Sequence, residues 1–225
     1  MKIHRFIAEL GAGNTLTDRE LVRQIRKVLK LEPGETICIS DGRGADYEGV
    51  IEKIDTDTVY LNNITKKESL MPKKNVTLYC AILKKENFEL VCQKATELGV
   101  TKIVPIITQR TIKQGLKVDR LKKIIKEASE QSGLSQIPIL SEALTFSDAI
   151  AESLKENEKT FLFDKSGLDI KNTFKSIGLF VGPEGGFTDD EILHAKNLHI
   201  EVGSLGITTL RGETAAIVAI YWGMQ

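Results

Sequence analysis

Residues Val181–Ile192 read VGPEGGFTDDEI and join an apolar strand to a helix with an acidic start. Between this strand and this helix lie the five residues Gly182–Gly186, here called the glycine loop. They are three glycines, a proline and a glutamate. In open α/β folds, ligands bind where strands end and helices begin. The stretch therefore predicts an α/β fold with a ligand site at this turn.

The glycine loop excludes two common phosphate sites. No Gly-Lys-Ser/Thr follows it, so it is not a Walker loop, and its spacing is not GxGxxG. The carboxylate of Glu184 would repel a phosphate, whereas it suits a polar ligand that is neutral or cationic. Taken alone, a glycine-rich turn between strand and helix is also explained by chain geometry.

A second turn of the same kind lies at Ser204–Ala216, SLGITTLRGETAA. Arg211 directly precedes a predicted helix, where a cation opposes the helix dipole, so a functional role is favoured. Glu213 lies in the first helical turn, where an acid complements the dipole and a structural role suffices. We call Leu205–Arg211 the arginine loop.

The order of predicted elements divides the chain into two domains. Residues 1–72 are mostly short strands with one helix, and from Asn75 onward strands and helices alternate. Such alternation predicts a mostly parallel sheet covered on both faces. We therefore expect a small β domain at 1–72 and an α/β domain at 73–225.

The predicted helix Thr17–Lys30 carries a basic stripe and opens with a capping box of Thr17 and Glu20. At about 100° per residue, one face holds cations only: Arg19, Arg23, Arg26 and Lys30. The opposite face is apolar: Leu21, Val22, Ile25, Val28 and Leu29. The stripe is interpreted either as a solvated face or as a contact for RNA phosphates.

Composition points to an ordinary globular protein. The 225 residues contain 31 Lys+Arg and 31 Asp+Glu, so net charge alone does not indicate a nucleic-acid partner. Cys38, Cys80 and Cys92 lack metal-site spacing and are expected to be buried thiols, and no metal site is predicted. The apolar run Ala215–Trp222 is too short to cross a bilayer, so we expect a cytoplasmic protein without a membrane partner.

The two loops together with KATELGV (Lys94–Val100) and EASEQSG (Glu127–Gly133) resemble the ribosomal RNA small subunit methyltransferase E family. That family belongs to the SPOUT class. The resemblance implies an N-terminal PUA-like, RNA-binding β-barrel and a C-terminal α/β domain with a deep trefoil knot, assembled as a homodimer. It spans the chain from His4 to the final helix.

The resemblance further implies a reaction, namely methylation of a uridine at N3 in 16S small-subunit ribosomal RNA with S-adenosylmethionine as the cofactor. The substrate would be the RNA or the assembled small ribosomal subunit. Arg211 would stabilise the anion at N3, and Glu213 is a candidate general base by residue type. The implied cofactor contacts are Gly182, Pro183, Glu184, Gly185, Gly186, Leu205, Gly206 and Leu210.

This chain departs from the family pattern at four positions. Leu134 and Thr208 stand where the family has Arg, Lys30 replaces an Arg, and Gly212 replaces a Thr. Because most of these changes weaken a cation, two rival hypotheses stay open. One is a SPOUT methyltransferase acting on another RNA, such as a tRNA ribose, and the other is a non-catalytic RNA-binding protein.

Overall fold

A computed structural model describes residues 3–84, 86–112 and 115–225. It divides the chain into two compact units. The first unit comprises Met1–Met71 and Ser129–Ile137, and the second comprises Pro72–Ala128 and Pro138–Gln225.

The first unit is built on a five-stranded sheet with the order β1-β3-β4-β5-β2. Its strands are β1 His4–Ile7, β2 Thr15–Leu16, β3 Thr36–Ser40, β4 Asp46–Ile54 and β5 Val59–Lys67. The pair β1–β3 is parallel, and the other pairs are antiparallel. The strands and one helix enclose an apolar core that includes Phe6, Leu16, Ile37, Ile51 and Leu61.

The helix predicted at Thr17–Lys30 is shorter and less regular than expected. It consists of α1 Arg19–Arg23 followed by a π-helical segment, Gln24–Val28. Its N-cap is Asp18, whose carboxylate accepts a hydrogen bond of 2.7 Å from the Leu21 amide, so the predicted capping box of Thr17 and Glu20 is wrong. An aspartate is as good an N-cap as a threonine.

The π-helical segment also changes the predicted faces. The side chains of Leu21, Val22 and Ile25 are buried as expected, whereas Val28 is 68% exposed and does not join the apolar face. A π turn closes i→i+5 hydrogen bonds, so spacing at 100° per residue fails beyond Arg23. Lys30 lies outside the helix with a positive φ of 52°.

The segment Ser129–Ile137 joins the first unit through a buried polar network. The Arg5 guanidinium donates to Asp46 at 2.7 Å and to the Leu134 carbonyl at 3.1 Å. The Ser135 hydroxyl donates to the second oxygen of Asp46 at 2.6 Å. Leu134 belongs to this unit, and its side chain is buried.

The second unit contains a seven-stranded sheet, and its strands pair in parallel throughout the described residues, as predicted. Its strands are β6 Asn75–Ala81, β7 Lys102–Ile107, β8 Ile139–Leu140, β9 Leu144–Thr145, β10 Lys159–Leu168, β11 Ser176–Val181 and β12 Glu201–Gly203. Its helices are α2 Asn87–Glu97, α4 Phe146–Glu156, α5 Asp189–Asn197, α6 Gly212–Met224 and the larger part of α3 Val118–Ser132, which from Ser129 onward belongs to the first unit.

The sheet order is β12-β10-β11-β6-β7-β8, with β9 paired to β7. The central strands β6 and β11 are almost wholly buried, which explains their continuous apolar sequences. One core cluster packs Tyr79 and Phe180 of these strands against Phe146 of α4 and Ile192 of α5. The short strands β2 and β9 were not expected from the sequence.

The cysteines conform only in part to the prediction. Cys80 and Cys92 are buried free thiols, and burial raises the pKa of each thiol above its ordinary value. Cys38 is half-buried, because its side chain lies beside the Arg5–Asp46 pair rather than in the apolar core. Within the described residues, no helix has the length and apolar character needed to cross a membrane.

Candidate functional site

The carboxyl ends of three parallel strands meet at one edge of the second unit's sheet. Phe163 of β10 is in register with Val181 of β11 and with Gly203 of β12, so β11 and β12 end at the level where the pairing of β10 shifts. A cavity of about 800 Å³ lies among the segments that follow. This is the position where parallel α/β sheets bind ligands.

The glycine loop and the arginine loop line this one cavity, although about twenty residues separate them in sequence. Every predicted cofactor residue is in its wall: Gly182, Pro183, Glu184, Gly185, Gly186, Leu205, Gly206 and Leu210. Arg211 and Glu213 line it as well. The predicted RNA contacts Arg19, Arg23, Arg26 and Lys30 belong to the first unit and lie on its exposed surface.

The glycine loop is a tight turn held by its own backbone. The Gly186 amide donates to the Pro183 carbonyl at 2.8 Å, and Gly186 has a φ of 69°, which favours glycine. A Cβ at Gly182 would lie 3.2 Å from the Phe187 ring. The turn then runs directly into α5, which starts with a capping box of Thr188 and Glu191.

Glu184 has a structural partner in addition to its place in the cavity wall. Its Oε1 accepts a hydrogen bond of 2.8 Å from the Lys84 amide, just after β6. The carboxylate therefore ties the glycine loop to the neighbouring strand's loop. Its charge still lines the cavity, where it disfavours anionic ligands.

The turn that follows β7 also holds the glycine loop, and the sequence did not single it out. Arg110 donates from Nη1 to the Gly185 carbonyl at 2.7 Å and to the Phe187 carbonyl at 3.0 Å. The Gln109 amide donates to the buried Glu191 carboxylate at 2.9 Å. The one available signal was a polar QR pair directly after the strand KIVPIIT.

The arginine loop carries Arg211 at the N-cap of α6. Its backbone is extended there, with φ −68° and ψ 154°, and its side chain makes no capping hydrogen bond. The guanidinium is exposed at the cavity wall. Arg211 thus occupies a position where it does not stabilise the helix, as the sequence predicted.

Glu213 and Gly212 have close neighbours at the start of α6. The carboxylate of Glu213 accepts a hydrogen bond of 3.2 Å from the side-chain amide of Asn87, which also lines the cavity. A Cβ at Gly212 would lie 2.8 Å from a methyl group of Leu83. A threonine at 212 would therefore require Leu83 to move.

A third segment of the wall, Asp164–Ser166, was also missed. It bulges out of β10 where the pairing with β12 shifts between Phe163 and Leu168. Asp164 Oδ1 accepts from the Ser166 amide at 2.8 Å and from its hydroxyl at 2.7 Å. The signal in the sequence was a carboxylate at the end of the strand TFLFD, a common position for functional residues in parallel sheets.

The cavity wall has charges of both signs. Its carboxylates are Asp164, Glu184, Asp189 and Glu213, and its cations are Arg110, Lys165 and Arg211. The Arg110 charge is directed at two backbone carbonyls, so it is partly compensated. Such a wall suits a ligand with separated polar groups and both charge signs better than a polyphosphate.

Two parts of the chain match two families known from other proteins. Residues 70–223 match the family described as RNA methyltransferase domain, and residues 16–62 match the RNA methyltransferase PUA domain. The fold, the site and these matches thus place the chain among RNA methyltransferases with a PUA-like N-terminal domain. A mixed α/β fold with these two parts is what the sequence predicted.

Relatives narrow this class to one family. The ribosomal RNA small subunit methyltransferase E of Rickettsia conorii is 33% identical over 209 residues, which cover 88% of this chain and 84% of the relative. That of Bacillus subtilis is 28% identical, with 89% and 86% covered. The chain belongs to the ribosomal RNA small subunit methyltransferase E family.

A solved structure supports the same assignment. It is a ribosomal RNA small subunit methyltransferase E from Neisseria gonorrhoeae bound to S-adenosyl methionine, with 29% identity and a TM-score of 0.85. The alignment covers 98% of this chain and 96% of that one. The resemblance stated from the two loops is therefore confirmed.

Proposed function

We propose that this protein methylates small-subunit ribosomal RNA with S-adenosylmethionine. The observation that carries the proposal is that the glycine and arginine loops line one cavity at the strand ends, in a chain of this family. The cofactor-bound relative from Neisseria gonorrhoeae, which aligns over almost the whole chain, supports the choice of cofactor.

The cavity fits this cofactor in size and in chemistry. A volume of about 800 Å³ lies within the range for small-molecule and cofactor sites. The glycines of the glycine loop leave the backbone accessible, and Glu184 and Asp164 are compatible with a sulfonium and with hydroxyl or amino donors. S-adenosylmethionine supplies the electrophilic methyl group when bound.

We further propose that the target atom is N3 of a uridine. The N3–H is a weak acid, so its reaction requires loss of a proton and stabilisation of negative charge over N3 and the two flanking carbonyl oxygens. Arg211 is suited to that stabilisation because its guanidinium is exposed at the cavity wall and not engaged in helix capping. Glu213 is the candidate base, with Asn87 holding one of its oxygens.

Residues 1–72 are proposed as the RNA-binding domain and 73–225 as the catalytic domain. The exposed cations Arg19, Arg23, Arg26 and Lys30 would contact RNA phosphates. Closure of the first unit's sheet into a barrel is supported by a core shared between its two edge strands, through Phe6 and Leu16.

The C-terminal segment is proposed to form a trefoil knot. Supporting this, the Gly203 backbone lies so close to Gly167 that a Cβ at Gly167 would clash with it. The Trp222 indole N–H also donates a hydrogen bond of 3.3 Å to the Ile170 carbonyl. An experimentally traced backbone in which residues 204–225 do not thread the 164–175 segment would refute the knot.

The cofactor assignment is tested with Gly185→Val. A Cβ at this position would lie 3.3 Å from Arg110, and the branched side chain would also intrude on the cavity, so affinity for S-adenosylmethionine should fall by about tenfold or more. Isothermal calorimetry measures the change. Gly115→Val is the matched control, because nothing lies within 4 Å of a Cβ there. Equal affinity of Gly185→Val and wild type would contradict the assignment.

A further inference from the structure

The glycine loop is held by the loops that follow two strands on the same side of its own strand. Its strand, β11, lies next to β6, and β7 lies on the far side of β6. After β6, the Lys84 amide donates to Glu184. After β7, Arg110 reaches across to the Gly185 and Phe187 carbonyls.

We propose that Arg110 is a positioning residue that fixes the glycine loop in its binding conformation. This rests on the proposed function, because it assigns a role within the same cavity. The two carbonyls belong to the residues on either side of Gly186, where the chain turns through a positive φ. Donation from one guanidinium nitrogen to both carbonyls fixes the orientation of both peptide planes.

Arginine is suited to this task for a physical reason. Its planar guanidinium has five N–H donors and stays charged at any working pH. Hydrogen bonds from a charged donor are stronger than neutral ones. Without such contacts, a loop with three glycines would sample many conformations, and ordering it on binding would lower affinity.

The same contacts reduce an electrostatic conflict. The Arg110 charge is directed at two carbonyl dipoles, which lowers its repulsion of a cationic sulfonium in the cavity. The residue therefore acts on the cofactor through the loop. We expect its removal to change the affinity for S-adenosylmethionine more than the turnover at saturating cofactor.

The experiment compares Arg110→Ala and Arg110→Lys with Arg120→Ala. Arg120 is the matched control: it is another arginine of the second unit, 56% exposed, whose partner is the Glu89 side chain at 2.7 Å. We expect Arg110→Ala to weaken S-adenosylmethionine binding about tenfold, the size of one charged hydrogen bond. Lysine should restore part of the loss, since it retains the charge but has only a point-like donor group. Arg120→Ala should bind as wild type does.

A second measurement needs no cofactor. The Gly186 amide is held in the turn by the Pro183 carbonyl, so its hydrogen exchange reports how often the glycine loop opens. Exchange at Gly186 should accelerate about tenfold in Arg110→Ala and remain unchanged in Arg120→Ala, in the ligand-free protein.

The outcomes separate the two proposals. If wild-type protein does not bind S-adenosylmethionine, the proposed function fails, and the exchange rates still decide the role of Arg110. Unchanged exchange at Gly186 in Arg110→Ala overturns the inference. The inference is also overturned if Arg110→Ala lowers the thermal midpoint of unfolding together with the affinity and Arg110→Lys restores neither. Arg110 would then support the fold in general.

Discussion

Arg211 lies at the start of α6, where it contributes nothing to the stability of the helix. It occupies the N-cap of α6, where serine, threonine, asparagine or aspartate would stabilise the helix, and it provides no cap. Its cation also opposes the helix dipole. We propose that a residue so unfavourable for stability at a cavity wall has a role in chemistry.

We therefore expect Arg211→Ala to fold and bind S-adenosylmethionine normally, yet lose about 10²–10³ in the rate of methyl transfer. Arg211→Lys should recover only part of this rate, because lysine lacks a planar fork that could bridge two acceptors. Single-turnover assays at saturating RNA separate the rate from RNA binding. Normal turnover of Arg211→Ala under those conditions would show that the residue contributes to binding alone.

Which site residues could be predicted depended on whether local sequence determined their place. The glycine loop and Arg211 were predictable because glycine at a turn and a cation before a helix are local violations of ordinary preference. Arg110 was not, since its partners are 75 and 77 residues away and follow from the order of strands in the sheet. Asp164 was missed for a similar reason, because its place depends on a shift in pairing with β12.

At the scale of elements, the α/β half agreed with its sequence far better than the helix of the first unit did. Strands such as β6 and β11 are buried on both faces, so their sequences are continuous apolar runs with sharp ends. The helix at Arg19–Val28 instead contains a π turn, and no simple periodicity specifies where one occurs. Only Arg19 and Arg23 of the predicted basic stripe therefore lie on the α-helical part.

Arg19 and Arg23 remain one helical turn apart on α1, both exposed, whereas Arg26 lies in the π-helical segment within 3.5 Å of the Thr56 carbonyl. We expect Arg19→Ala with Arg23→Ala to weaken RNA binding and to reduce the salt dependence of affinity by about two units of slope. Adding Arg26→Ala should change the slope less than either of the first two.

The control for that test removes the same amount of charge elsewhere in the first unit. Lys53 and Lys67 are both engaged in ion pairs, with Asp55 at 2.8 Å and with Glu48 at 3.2 Å. Their double alanine variant should leave the slope close to that of wild type. A salt slope unaffected by loss of Arg19 and Arg23 would mean that the stripe is only a solvated face.

At the scale of the whole molecule, packing within a single chain does not explain the uncharged sequence of α6. From Thr214 to Gln225 the sequence contains no charged residue. One side of the helix is buried through Ala216, Ala219 and Ile220, yet Tyr221 is 58% exposed. A surface helix usually carries charged residues on its outer face, so an uncharged one indicates a further partner.

We propose that the partner is a second copy of this chain and expect a homodimer at micromolar concentration. Tyr221→Arg should shift the equilibrium towards monomer, because it introduces an unpaired charge into the interface. Light scattering gives the mass directly.

Leu154→Arg, on α4, is the control, since Leu154 is an apolar residue of comparable exposure, 45%, on a helix that also carries charged residues. A dimer that persists in Tyr221→Arg would remove α6 from the interface. A monomeric wild type would contradict the homodimer, and the partner of α6 would then be another molecule.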